Sequence, residues 1–487
     1  MSKVRTAASF LKRFGLRRTL FYYDQRRLEK ELPFSCFSLN ELERDHLWKL
    51  AKRHPISFGK VGEAAEYWLL IPQDATIAPD FMAACSIRIA ECKKRPLVVY
   101  TDLAVTGALP VEDEGTLWEV NLPGVGACHG CFFPDYALET AEVLDFFGGA
   151  ICVAADWAKE RGLDTEEAIR SALRQHAFGV EDVLHVDRIL SHQEHMVASL
   201  QETLAVRNSE KPLVSIVIPN KDQVETLKAC LDSILTKTTY PNYEIVVIEN
   251  NSTEEATFAY YETLKEPVRV VTCITDWNYS YINNYGVRDC KGEILLFLNN
   301  DTEIRSGDWL DEMVSYAQHE GVGAVGAKLL YPDETIQHGG VTVGIRAVAG
   351  HGYIGWPGDS KGYLRRLEMP QNVGAVTAAC MMVPKDVFDQ VGGFDEDMKV
   401  AFNDTDLCMK IRDAGYRIVL TPQVVLTHFE SKSRGRDEQN PEKLARFNRE
   451  SMTFQRRWFT QLRQGDPSYN VHLSYDNDNF EVKHLWT

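Results

Sequence analysis

Short apolar runs and amphipathic stretches alternate through the second half of the chain. Leu213, Val214, Ile216, Val217 and Ile218 form a run closed by Pro219, the pattern of a strand buried on both faces. Val224, Leu227, Leu231, Ile234 and Leu235 follow at helical spacing and predict one apolar helix face. Residues 243–249, 268–272 and 294–298 repeat the buried-strand pattern. Strands alternating with helices predict an α/β domain on a mixed, mostly parallel sheet. Ligands of such sheets bind beyond the carboxyl ends of the strands. The polar residues after each run therefore matter: Asn220-Lys221-Asp222, Glu249-Asn250-Asn251-Ser252 and Asn299-Asn300-Asp301. Three acidic or amide clusters at strand ends suit a nucleotide and a metal.

The first half carries a faint echo of the second. Trp68-Leu69-Leu70-Ile71-Pro72-Gln73-Asp74 parallels Leu295-Leu296-Phe297-Leu298-Asn299-Asn300-Asp301, and residues 183–194 parallel 419–430 without a gap. The second match sets His192 against His428 and Glu194 against Glu430. This predicts a degenerate partial copy of the α/β domain ahead of the complete one. The copy has no evident counterpart of the strand at 213–219 or of the turn at 249–252, so Asp74 and His192 read as relics or structural residues. The division expected is a basic segment over 1–33, the partial copy over 34–206, the complete domain over 211–435, and a helical extension and tail over 436–487.

Composition narrows the function. The 487 residues carry a formal net charge of −17, which excludes a general nucleic-acid binder, since phosphate backbones require a basic surface. No apolar run is long enough to cross a bilayer, and no signal-peptide core stands at the start, so a cytoplasmic protein is expected. The 11 cysteines are scattered, which fits a reducing compartment. Cys128 and Cys131 form one CxxC without a second pair at zinc-site spacing and read as structural. Against the acidic trend, Lys3, Arg5, Lys12, Arg13, Arg17, Arg18, Arg26, Arg27 and Lys30 crowd the N-terminus, with Phe10, Phe14, Phe21 and Tyr22 among them. Such a segment either lies on an anionic membrane surface, making the protein peripheral on the inner face of the membrane, or packs as a solvated helix on its own domain.

The motifs from 211 to 435, taken in order, resemble family 2 glycosyltransferases of the GT-A fold, in the branch that builds bacterial surface polysaccharides. The carriers are the strand closed by Pro219, Glu249-Asn250-Asn251-Ser252, Asn278-Tyr279-Ser280 with Asn283-Asn284-Tyr285-Gly286, Asn299-Asn300-Asp301, Gly392-Gly393-Phe394-Asp395 with Asn403-Asp404, and His428-Phe429-Glu430-Ser431 with Ser433-Arg434-Gly435. The resemblance implies an inverting, metal-dependent transfer from a nucleotide-sugar donor to a glycan or lipid-linked glycan acceptor, with rhamnose as a candidate sugar. It assigns Asp301 and His428 to a divalent ion, Mn²⁺ or Mg²⁺. Pro219, Glu249, Asn250, Asn278, Asn284 and Asn300 are assigned to the donor, Arg434 to its diphosphate, and Asp404 to the catalytic base.

The chemistry calls for these residue types. A departing diphosphate builds negative charge that a hard cation neutralises, and such a cation takes oxygen ligands. An attacking hydroxyl needs a carboxylate to take its proton; Asp406 is the nearby rival to Asp404, and a helix cap is the plain alternative for either. Asn299 stands where the family has the first acid of Asp-x-Asp, which leaves a binding-only pseudoenzyme as the competing class. A nucleotidyltransferase would require a glycine-rich phosphate loop after its first strand, and Pro219-Asn220-Lys221-Asp222 is not one. Trp309, at helical spacing with Leu310, Met313 and Val314, is expected in the core.

Overall fold

The structure, a computed structural model, describes residues 51–482 except 53–54, 107–118, 123–125, 132, 137, 142–146, 148, 177, 194–209, 430–440 and 478. The basic segment 1–33, Glu194, Glu430 and the loop with Arg434 lie outside the described residues.

The first half folds around one sheet. Strands β1 (Phe58–Gly59), β2 (Tyr67–Leu70), β3 (Thr76–Ile77), β4 (Val98–Val105), β5 (Glu119–Leu122), β6 (Gly126–Cys131), β7 (Ile151–Ala154) and β8 (Val183–Gln193) run in the order β1-β2-β7-β4-β6-β5, with β8 joined to β4 and β3. Helices α1 (Phe81–Glu91), α2 (Leu138–Ala141), α3 (Ala155–Glu160) and α4 (Glu166–Gln175) connect them. Every residue of β4 and β7 is buried, as their apolar runs demand.

The second half begins with β9 (Val214–Asn220), α5 (Val224–Lys237), β10 (Tyr243–Glu249), α6 (Glu255–Thr263), β11 (Val268–Thr272), α7 (Tyr279–Val287), β12 (Ile294–Leu298), β13 (Thr302–Ile304) and α8 (Trp309–Ala317). It continues through β14 (Val322–Leu330), β15 (Ile336–His338), β16 (Val341–Val343), β17 (Ala349–His351), β18 (Gln371–Asn372), β19 (Cys380–Pro384), α9 (Lys385–Gln390), α10 (Asn403–Asp413) and β20 (Arg417–His428). Helices α11 (Pro441–Arg457) and α12 (Phe459–Gln464) close it. The main sheet runs β11-β10-β9-β12-β19-β14-β20-β13. β11, β10, β9 and β12 are parallel, β19 is antiparallel to both its neighbours, and β14 and β20 are parallel again. The four strands expected from the apolar runs thus form its parallel half. On α5, Leu227, Leu231 and Ile234 are buried as expected, but Leu235 is 40% exposed and Cys230 takes its place on the apolar face. Trp309 is fully buried and gives its indole N–H to Thr238. Gly286 on α7 is a packing requirement: a Cβ there would stand 2.2 Å from Ile248 of β10.

The two sheets share a pairing pattern. β12–β19, β19–β14 and β13–β20 are antiparallel, as are β2–β7, β7–β4 and β3–β8, while β14–β20 and β4–β8 are parallel. Thr302 faces His428 in one sheet and Thr76 faces His192 in the other. That register puts Ala75, not Asp74, in the place of Asp301. The two-residue β1 pairs parallel to β2, as the seven-residue β9 pairs parallel to β12. Among the described residues no strand stands where β10 and β11 stand.

The halves are tied by buried charge. Glu139 on α2 is fully buried and accepts from Arg417 Nε at 2.9 Å, Arg417 Nη2 at 2.7 Å and Asn372 Nδ2 at 2.8 Å. The C-terminal tail adds a second tie, because Asn470 donates to buried Asp102, which also meets His185 at 3.0 Å. Burial opposes a charged His185, but Asp102 and Asp135 outweigh it and raise its pKa to about 10. Cys128 and Cys131 are buried free thiols. No helix among the described residues is long and apolar enough to cross a membrane.

Removing Glu139 should cost the fold. Burial opposes its charge, yet Arg417 and Asn372 outweigh burial and hold its carboxyl below the usual range. A depressed folded pKa stabilises above the unfolded value, about 4.3, and the benefit is lost as pH falls through the folded value. Glu139→Ala leaves Arg417 without its partner and is expected to cost roughly 3 kcal/mol at pH 7. The deficit should shrink in acid; a thermal melt unchanged at pH 7 would contradict this.

Candidate active site

The carboxyl ends of the strands open on one cleft of about 950 Å³, lined among others by Pro219, Asn300, Asp301, Asp404 and His428. Five of the residues singled out in the sequence therefore share a wall.

Strand pairing makes the centre of the site. Asn299, Asn300 and Asp301 form the turn between β12 and β13, and β13 pairs with the end of β20. This brings Asp301 Oδ1 to 3.1 Å from His428 Nε2. Gln337 Oε1 lies 2.6 Å from His428 Nδ1 and, as an acceptor, sets the imidazole proton there. Nε2 then presents a lone pair, which meets Asn299 Nδ2 at 3.2 Å. Asp301 Oδ1 is buried without a hydrogen-bond donor. A carboxylate oxygen and an imidazole lone pair facing each other repel unless a cation or a proton stands between them. Two neighbouring ligands of an octahedral ion with bonds of about 2.1 Å lie about 3 Å apart, so the pair fits a divalent ion. Among the described residues no third His, Cys, Asp or Glu joins them. The remaining positions would fall to water and ligand oxygens, which suits an ion that keeps several waters.

Asp404 lies in the first turn of α10. Its Oδ1 accepts from Thr405 N at 2.7 Å and its Oδ2 from Ala378 N at 3.2 Å. A carboxylate has about four lone-pair sites, so these bonds orient it and leave capacity toward the cleft. Phe402, just before the helix, has φ 60°, a left-handed conformation that costs a phenylalanine energy. It is held there by Phe447 and Phe454 of α11, with ring centroids at 5.4 and 5.8 Å. Glu450 of α11 accepts from Ala401 N at 2.7 Å and Lys399 N at 3.2 Å and fixes the preceding loop. Asp406 differs: it is fully buried, with both oxygens 2.9 Å from Arg457 Nη1 and one 2.8 Å from Trp458 Nε1. It is a structural anchor.

Four residues expected to touch a nucleotide are hydrogen-bonded within the scaffold of the site. Glu249 is 4% exposed and accepts from Ser252 N at 2.6 Å and Tyr261 OH at 2.9 Å. Asn250 donates to the carbonyls of Cys273 and Thr275, both at 2.9 Å. Asn278 caps α7 by accepting from Tyr281 N and donates to Glu396 O. Asn284 donates to Phe394 O and accepts from Phe394 N, both at 2.9 Å. The physical reason is shared: each has backbone groups within reach to satisfy, at the strand or helix end where Glu249, Asn250 and Asn278 stand and across the fold for Asn284. They reach the cleft through others. Tyr261 donates to Glu249, Asn220 donates to Tyr261 OH at 2.8 Å, and Asn300 donates to Asn220 at 2.6 Å. Asp222 closes the same turn, accepting from Thr253 N at 2.7 Å and Glu254 N at 2.9 Å. Burial opposes its charge, but those N–H groups outweigh it and lower its pKa. Tyr261 and Gln337 gave no signal in the sequence, since each acts through a contact across the fold.

Comparison with known proteins fits this geometry. Residues 215–392 match the family described as Glycosyl transferase family 2. An uncharacterized protein of Sinorhizobium fredii, y4gI, is 47% identical over 273 residues, 55% of this chain and 30% of the relative. The O-antigen biosynthesis protein RfbC of Myxococcus xanthus is 42% identical over 266 residues, 54% of this chain and 20% of the relative. The N-acetylglucosaminyl-diphospho-decaprenol L-rhamnosyltransferase of Mycobacterium tuberculosis is 30% identical over 122 residues, 24% of this chain and 40% of the relative. The matches thus span less than half the length of each of these relatives. The family match, the strand order and the strand-end cluster agree: residues 215–392 of this chain form a domain of the glycosyl transferase family 2 kind on a mixed α/β sheet.

Proposed function

We propose that the chain is an inverting, metal-dependent glycosyltransferase that moves a sugar from a nucleotide-sugar donor to a hydroxyl of a bacterial surface polysaccharide or lipid-linked glycan. The observation that carries this is the facing of Asp301 Oδ1 and His428 Nε2 at 3.1 Å in the cleft that Asp404 also lines. The relatives named for O-antigen biosynthesis and for rhamnosyl transfer support the polysaccharide setting and make rhamnose the first sugar to try.

Asp301 and His428 would hold the ion, with Gln337 fixing the imidazole. A divalent cation there supplies charge to stabilise the leaving diphosphate. Asp404 takes the proton of the acceptor hydroxyl as that oxygen bonds to the anomeric carbon. The bond from that carbon to the diphosphate oxygen breaks, and the nucleoside diphosphate leaves with the electron pair. Attack opposite the leaving group inverts the centre. The Asn300–Asn220–Tyr261–Glu249 chain holds the wall near the nucleotide. The first half is a degenerate copy that binds no nucleotide, a reading supported by its shared pairing pattern.

Two predictions follow from these roles. Turnover of a panel of nucleotide sugars should require Mn²⁺ or Mg²⁺ and vanish in Asp301→Ala, while Gln337→Ala should weaken metal affinity roughly 10- to 100-fold. Full activity in excess chelator would end the metal assignment, and metal binding without transfer or donor hydrolysis would favour a binding-only protein.

Asp404→Asn should keep donor affinity and lower kcat by roughly 10²- to 10⁴-fold. Asp406→Ala should instead lower thermal stability by roughly 1–3 kcal/mol, by leaving the buried Trp458 N–H without its acceptor and Arg457 with Asp395 alone. A stable, dead Asp406 variant beside an active Asp404→Asn would reverse the two roles.

A further inference from the structure

The closing helices turn one side to the domain and the other to solvent. On α11, Glu450, Ser451 and Phe454 are buried, and Phe447 and Phe454 meet Phe402. The outer side of a helix packed in this way is normally polar. Here Leu444 is 41% exposed and Met452 47%, and Phe459 at the start of α12 is 49% exposed. Leu444 and Met452 stand eight residues apart, a little over two turns, and so share one side of the helix. Arg449 is exposed between them, and Arg456 is exposed one turn beyond Met452. Arg463 of α12, also exposed, lies over the Phe459 ring at 5.7 Å. Neither Arg449 nor Arg456 has a carboxylate partner among the described residues; Arg456 donates to Thr453 Oγ1 at 3.4 Å.

Charge sets this surface apart from the rest of the chain. Residues 441–464 carry six Lys or Arg against Glu442 and Glu450, while the whole chain stands at −17. Glu450 is buried and accepts from Ala401 N and Lys399 N, so it does not offset the arginines on the outer side.

We propose that the outer side of α11 and α12 docks on an anionic lipid surface. Leu444, Met452 and Phe459 enter the boundary between headgroups and acyl chains, and Arg449, Arg456 and Arg463 meet the lipid phosphates around them. The occupant follows from the mixture. A nucleic acid would engage the arginines and leave three large apolar side chains in water. The chain's own basic segment 1–33 has the same sign of charge and does not complement this side. No helix among the described residues can cross a membrane, so the contact is peripheral. Lys443, Arg446 and Phe447 of the same helix line the reaction cleft, and docking therefore sets the cleft beside the bilayer, where a lipid-linked acceptor is held. The inference goes beyond the glycosyltransferase reading and is detected without it.

The full chain is sedimented with vesicles of phosphatidylglycerol and phosphatidylcholine in equal parts, and with vesicles of phosphatidylcholine alone. It should bind the anionic vesicles and bind them less as salt is raised. Arg449→Glu with Arg456→Glu should lower the partition coefficient roughly tenfold or more. Leu444→Gln with Met452→Gln should lower it roughly fivefold, since the bilayer no longer takes up their apolar surface. All four side chains are exposed, so the variants should melt with the wild type. If a double variant melts early, Arg449→Gln and Met452→Gln alone make the same comparison. Two double variants that partition like the wild type would overturn the proposal, as would a wild type that ignores anionic vesicles. A loss confined to the arginine pair would point to an acidic macromolecule in place of a bilayer and would overturn it too. No substrate is present in these assays, so failed docking leaves the transfer reading standing, and failed transfer leaves the docking standing.

Discussion

The site depends on one strand pairing. β13 is three residues long, and its register with β20 sets Thr302 opposite His428. A slip of one residue would turn His428 to the other face of the sheet, and Asp301 would face no nitrogen. The pairing is held from both sides. Thr302 Oγ1 donates to Asn299 O at 2.8 Å, and Phe429 N donates to Asp301 O at 2.9 Å. Gln337 then fixes the imidazole. The facing of a carboxylate oxygen and a ring nitrogen is thus set by the backbone, and the atoms cannot move apart without disturbing the sheet.

Asp404 is placed by a different mechanism. Asp404 stands at the start of α10 after a left-handed Phe402, and the energy for that conformation comes from outside the matched domain. α11 packs Phe447 and Phe454 against Phe402 and clamps the loop through Glu450. Arg457 at the end of the same helix neutralises Asp406 and also pairs with Asp395. The helical extension expected over 436–487 therefore lines the cleft, through Phe447 of α11.

What the sequence made legible follows from the range of the forces involved. The buried strands at 214–220, 243–249, 268–272 and 294–298 announced themselves because a strand covered on both faces must be apolar throughout. Asp301, His428 and Asp404 were legible because strand and helix ends collect the polar residues of a site. The work of Glu249, Asn250, Asn278 and Asn284 was not legible. A polar residue at an element end looks alike whether it meets a ligand or satisfies a neighbouring turn, and only the fold decides. Gln337 was hidden for a stronger reason. Its partner, His428, lies 91 residues away, and no local pattern marks the contact.

The first half shares the strand pairing of the second but not its polar strand ends. Its sheet keeps the pairings that bury apolar surface, including the long β8 beside β4. It keeps the Thr76–His192 register, but the residue before Thr76 is alanine, so no carboxylate takes the place that Asp301 holds beside His428. Its leading strand is two residues long, and no described strand stands where β10 and β11 support Glu249 and Asn250. Core packing does not require such strands, because they would lie at the sheet edge beyond the buried centre. Glu139 and Asp102 are spent on holding the catalytic half and its tail, and neither is needed for chemistry of its own. On the proposal that the first half is a partial copy, it serves the second half as a brace, through the buried Glu139–Arg417 and Asp102–Asn470 contacts.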